Sequence, residues 1–100
     1  MKTTLEDLIK AKKVICDYLL SEQELFMELG INYEISVKQA TMMNDGVIDE
    51  VNYVNIEFIQ KGKKFTNYIW DYSKYDNIEE YALKLIKYYN KETLNKLYFG

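Results

Sequence analysis

Two adjacent carboxylate pairs, Asp49-Glu50 and Glu79-Glu80, are the first residues to weigh for acid–base chemistry. Glycoside hydrolysis needs two carboxyl groups facing each other across the scissile bond. Neighbours on a strand point to opposite faces, and neighbours on a helix diverge by about 100°, so neither doublet faces itself. The chain has no histidine, hence no imidazole base and no Ser-His-Asp triad. Cys16 is the only cysteine, has no histidine to activate it, and falls on the apolar side of an expected helix, where it reads as a small buried hydrophobe. One cysteine without histidine excludes the usual structural zinc sites and any internal disulfide. The Asp45–Glu50 stretch lacks the ligand pattern of an EF-hand. Four glycines supply no phosphate-cradling loop. The expectation is a protein that is not an enzyme and takes no metal or cofactor.

What remains is recognition chemistry, and here the charge is unevenly spread. The formal net charge is −3. Residues 14–60 hold Asp17, Glu22, Glu24, Glu28, Glu34, Asp45, Asp49, Glu50 and Glu57 against the single Lys38, whereas residues 1–13 and 61–100 are each net positive. Charge of one sign concentrated on a fold steers an oppositely charged partner and raises its association rate. The competing reading is that carboxylates simply occupy solvated faces and lysines from elsewhere fold over them, since surface ion pairs are common and weak. Every basic residue is lysine, without the arginine fork that favours phosphate and guanine contacts.

The elements that must position these groups follow from periodicity. Thr3 and Glu6 stand at capping-box spacing, and Leu5, Leu8, Ile9, Ile15, Cys16, Leu19 and Leu20 recur at helical steps, predicting a helix over about 4–20. Ser21 and Glu24 repeat the box, predicting a short helix over about 22–29 with Gly30 as its stop. From Ile31 the period becomes two, with Tyr33, Ile35 and Val37 alternating with Glu34, Ser36 and Lys38. Asn44-Asp45-Gly46 predicts a tight turn into a second strand over Val47–Ile59, and Lys61-Gly62 a turn into a third over Phe65–Tyr72. Asp76, with Glu79 behind it, caps a last helix running to about Asn90, and Leu94, Leu97 and Tyr98 extend it or form a final turn. The order is α-α-β-β-β-α in a single α+β domain over residues 1–100. That order predicts a two-layer sandwich, a three-stranded antiparallel meander covered on one face by the N- and C-terminal helices.

The chain is also rich in rings: ten tyrosines, four phenylalanines and one tryptophan. A two-residue turn at Lys61-Gly62 pairs Gln60 with Lys63, sets Phe58 against Phe65, and sets Val54 against Ile69 on the core side. Tyr53, Asn55, Glu57, Thr66, Tyr68, Trp70 and Tyr72 then share the opposite face, an aromatic and acidic surface of the kind that forms interface hot spots. A three-residue turn slips the register by one and sends Tyr68 and Trp70 inward. Both registers are open to the sequence. The candidate partner-binding residues are therefore Glu22, Glu24, Glu28, Glu34, Asp45, Asp49, Glu50 and Glu57, with Tyr53, Tyr68 and Trp70 as anchors.

Small size, acidity and exposed rings suggest an inhibitor whose carboxylates stand in for phosphates and block the basic site of a nucleic-acid-handling enzyme. In class this is similar to small anti-CRISPR and DNA-mimic proteins. Heavy use of Lys, Asn, Ile and Tyr without Arg or Pro suggests AT-rich coding, hence a low-GC bacterium or its phage; with the small size and acidity it fits an inhibitor from a phage or mobile element, acting in the cytoplasm of a bacterial host cell. The order helix, three strands, helix also resembles the double-stranded-RNA-binding domain over about residues 4–90. That family sets a lysine cluster at the start of its last helix, where this chain has Asp76-Asn77-Ile78-Glu79-Glu80, and the net field opposes direct nucleic-acid binding. A third reading is a homodimer joined through the aromatic sheet face or a strand edge. No apolar run approaches the roughly 20 residues of a membrane span, and the first residues lack a signal-peptide apolar stretch.

Overall fold

Two glycine turns fix the sheet. Asp45 and Gly46 both adopt positive φ (50° and 78°), as do Lys61 and Gly62 (48° and 80°). This is the signature of two-residue type I′ turns, whose twist matches that of antiparallel strands. They join β1 (Asn32–Asn44), β2 (Val47–Gln60) and β3 (Lys63–Trp70) into a meander of order β1-β2-β3. The computed structural model describes residues 3–72 and 74–88. Of the two registers open to the second hairpin, the two-residue one is adopted: Gln60 opposes Lys63, Phe58 opposes Phe65, and Val54 opposes Ile69.

That register puts Val54, Ile56, Phe58 and Ile69 on one face, where the helices cover them. α1 (Leu5–Ser21) contributes Leu8, Ala11, Ile15 and Leu19, and α3 (Ile78–Lys87) contributes Ile78, Ala82 and Ile86. α2 (Gln23–Glu28) contributes Phe26, which stacks on Phe58 at 5.8 Å and meets Tyr33 edge-on at 5.9 Å. α1 lies across β1 and β2 and packs along α3. The result is a two-layer α+β arrangement with the core between the layers.

Local chemistry places the helix ends one residue away from the sequence reading at two points. Thr4, not Thr3, caps α1: its hydroxyl accepts the Asp7 N–H at 3.1 Å, and the Asp7 carboxylate accepts the Thr4 N–H at 3.2 Å. Thr3 is used elsewhere, since its N–H donates to the Asp71 carbonyl. Asn77, not Asp76, caps α3 by accepting the Glu80 N–H at 3.0 Å. The expected box of Ser21 with Glu24 does not form. Ser21 is the last residue of α1, its hydroxyl donates back to the Tyr18 carbonyl at 2.6 Å, and α2 has no side-chain cap. Gly30 does stop α2. At φ 67° it donates to Met27 while Ile31 donates to Phe26 at 2.9 Å, a Schellman ending with both Phe26 and Ile31 in the core. Tyr89, Asn90, Leu94, Leu97 and Tyr98 lie outside the described residues.

The strands are unequal in length, and this shapes the surface. β3 has 8 residues against 13 and 14 in β1 and β2. Its last pair is Trp70 with Tyr53. Asp71 carries the edge one step further: its N–H donates to the Asn52 carbonyl at 3.0 Å, and its buried carboxylate accepts the Asn52 N–H at 2.9 Å. Beyond that point residues 40–51 form a two-stranded arm with no third strand beside it among the described residues.

Candidate protein-binding face

Period-two alternation sends every second residue of the sheet away from the helices. On β2 and β3 these include Tyr53, Asn55, Glu57, Thr66, Tyr68 and Trp70, and on β1 Glu34, Ser36 and Lys38. The rings meet. Tyr53 lies 4.7 Å from Trp70 and 5.5 Å from Tyr68, Tyr68 lies 5.3 Å from Trp70, and Tyr72 stacks on Trp70 at 5.4 Å. These separations are those of attractive aromatic pairs, each contributing about 0.5–1.5 kcal/mol beyond burial. The mutual contact holds the rings in place, yet Tyr68 and Tyr72 remain 41% and 52% exposed. Past Tyr72, an open pocket of about 340 Å³ lined by Met42, Asp49, Val51 and Tyr72 continues the surface onto the arm.

Beneath the rings, Asn55 opposes Ser36 across the β1–β2 ladder. The Asn55 Nδ2 and Ser36 Oγ atoms are buried without a hydrogen-bond partner among the described residues. An unsatisfied buried polar group costs about 1–3 kcal/mol, so this face carries polar groups that the fold leaves unused.

The structure brings Tyr53, Tyr68 and Trp70 together but divides the eight carboxylates among three places. Glu34 and Glu57 oppose each other on the outer face, where Glu57 pairs with Lys64 at 3.9 Å and Lys38 stands opposite Tyr53. This end is therefore charge-compensated. Asp45, Asp49 and Glu50 are exposed on the arm, where Gln39 donates to Glu50 at 3.2 Å. No lysine occurs between residues 39 and 60, so the arm is the concentrated negative region of the sheet. Glu22, Glu24 and Glu28 line a shallow pocket at the α1–α2 corner with Leu20 and Leu25, on the helical layer rather than beside the rings.

Sequence reasoning missed the arm as a feature of its own. Met42, Met43, Val47 and Ile48 are 41%, 75%, 57% and 65% exposed, although their types suit a covered strand. The available signal was the shortness of the third strand, which leaves the distal hairpin without a neighbour.

The groups first weighed for chemistry lie apart from this face. Glu79 and Glu80 sit exposed in the first turn of α3, and Glu80 pairs with Lys84 at 3.2 Å. Carboxylates at that helix start repel phosphate, unlike a lysine cluster. Cys16 is half-buried, and burial pushes its thiol up from the ordinary range, with Lys12 opposing the rise and Asp17 adding to it. A raised thiol has little thiolate near neutrality and is a poor nucleophile. Among the described residues, no group of three or more metal-ligating side chains gathers, and no helix is long and apolar enough to cross a membrane. No protein-family model, curated protein or solved structure matches this chain.

Proposed function

We propose that this chain is a non-enzymatic protein-binding module that docks through the outer face of its sheet and approaches its partner with the acidic arm. The observation that carries the reading is the contiguous set Tyr53, Tyr68, Trp70 and Tyr72, pre-packed ring against ring on a face with no covering element among the described residues. Pre-packed aromatics lose little side-chain freedom on binding and supply the desolvated anchors that dominate interface energies. Asp45, Asp49 and Glu50 set the sign of the partner: a lysine- or arginine-rich protein surface, of the class that handles nucleic acid. Occupying such a surface denies it to nucleic acid, which is the action of an inhibitor. With the carboxylates divided, the rings supply affinity and the arm supplies steering, so a continuous imitation of a phosphate backbone is not required.

The test is quantitative capture from a host lysate at low and high salt, comparing the natural chain with two variants. In Tyr68→Ala/Trp70→Ala, specific capture of a basic protein falls at least about tenfold, the loss of about 1.4 kcal/mol or more expected of hot-spot rings. In Asp45→Lys/Asp49→Lys/Glu50→Lys, the salt dependence disappears. Unchanged capture by both variants refutes the reading.

A further inference from the structure

We infer that two copies of this chain pair through the free edge of β1, in antiparallel register about Ser36, to form a continuous six-stranded sheet. Among the described residues, β1 bonds to β2 alone, in one-to-one register from Asn32↔Ile59 to Asn44↔Val47. It contains no proline, glycine or bulge to interrupt it, so its unpaired backbone groups are a template for another strand, one that must answer the charges of Glu34 and Lys38. In a two-residue turn the flanking residues, here Asn44 and Val47, form a hydrogen-bonded pair. Alternation along the ladder then directs the even-numbered residues of β1 to β2 and turns the backbone groups of Tyr33, Ile35, Val37 and Gln39 to the open edge.

The side chains select one register. Glu34 and Lys38 are the only charged residues of β1, opposite in sign and equally spaced about Ser36. A two-fold axis through Ser36 sets Glu34 of each copy against Lys38 of the other, twice. An axis at residue 34 or 38 opposes like charges, and one at 35 or 37 pairs neither. The same axis sets Ile35 against Val37 as hydrogen-bonded pairs on the open edge. It brings the two Ser36 hydroxyls together as a close, non-hydrogen-bonded backbone pair, giving the buried, unpartnered Oγ a partner.

The helical layer agrees. α3 takes one flank of α1, and on the other Leu5, Ile9 and Leu20 are 49%, 53% and 64% exposed, with Cys16 between them. Because α1 lies over β1 and β2, it stands about one strand spacing, roughly 5 Å, from the axis. The two copies of α1 then run about 10 Å apart, at the upper end of helix-packing distances, with these apolar flanks facing each other. The axis is perpendicular to the sheet, so both ring clusters stay on the same uncovered face. The pairing does not depend on the proposed function, and if both hold, the module presents two docking faces side by side.

The experiment is sedimentation equilibrium of the full chain over the micromolar range, with circular dichroism to verify folding. The natural chain runs at twice its 12.0 kDa mass. Lys38→Glu and Glu34→Lys each turn two attractive pairs into repulsive ones and weaken the dimer roughly 10- to 100-fold, while the swap Glu34→Lys/Lys38→Glu restores it. As a second measurement, Ser36→Cys in a Cys16→Ser background forms a covalent dimer on mild oxidation. A monomeric natural chain, single variants that dimerise like it, a swap that fails to restore the dimer, or a Ser36→Cys variant that does not cross-link each overturns the inference.

Discussion

Replacing Phe58 and Tyr68 in turn separates the face that holds the fold from the face offered to a partner. Phe58 is 1% exposed, stacks on Phe26 at 5.8 Å and stands opposite Phe65. Phe58→Ala removes a buried ring from a site bounded by two elements that cannot both close in, and the expected cost is about 3–5 kcal/mol. That is a large share of the 5–15 kcal/mol typical of a whole domain, and at roughly 4–8 °C per kcal/mol it lowers the thermal midpoint by more than about 12 °C. Tyr68 is 41% exposed and loses its ring contacts with Tyr53 and Trp70 and the partial burial that goes with them, so Tyr68→Ala costs about 1–3 kcal/mol, less than Phe58→Ala. Urea unfolding followed by far-ultraviolet circular dichroism measures both, with unchanged slopes licensing the comparison. Equal midpoints for the two variants contradict this division of the sheet, because the outer face would then be as much a part of the core as the inner one.

Three further outcomes follow from single contacts. Gly46→Ala meets no atom within 4 Å but must hold φ at 78°, so it costs about 1–2 kcal/mol of backbone strain in an unfolding titration without altering the sheet's amide exchange pattern. Asp71→Ala strips the acceptor from the Asn52 N–H and lowers stability by about 1–3 kcal/mol, read as a shift in the urea midpoint. Cys16, its thiol pushed up by burial, alkylates more slowly with iodoacetamide at mildly alkaline pH in the folded chain than in urea. The sign is that of a group which binds its proton more tightly when folded. Its contribution to stability is full below the ordinary thiol range and is lost as pH rises through the raised value, a loss absent in Cys16→Ser.

The sheet was readable because its information is local. The pair Asp45-Gly46 announces its own turn, whereas Lys61-Gly62 leaves a two-residue and a three-residue loop open; once the second turn has two residues, every side chain from Tyr53 to Trp70 is assigned a face. Helix caps were less readable because neighbouring candidates compete on tertiary grounds. Thr3 and Thr4 have the same side chain, but only Thr3 reaches the Asp71 carbonyl, which leaves the cap to Thr4. The apolar stripe of α1 was overread for the same reason: periodicity places Leu5, Ile9 and Leu20 beside Leu8 and Leu19, but α3 covers only one flank. Of the candidate site, the ring cluster followed from turn length and period. The gathering of carboxylates did not, since Glu24, Glu34 and Asp49 are brought together or separated only by how layers stack. The protruding arm depended on β3 ending at Trp70, which no property of Met42 or Ile48 announces.

Trp70, the single tryptophan, sits inside the ring cluster and reports on it directly. Its emission should be recorded while the basic protein captured by the natural chain is titrated in, with iodide quenching measured at each step. With the ring cluster buried against the partner, Trp70 emission shifts to shorter wavelength and loses its quenching as the complex saturates. A complex that forms while Trp70 keeps its emission and its quenching contradicts the assignment of the outer sheet face as the recognition surface.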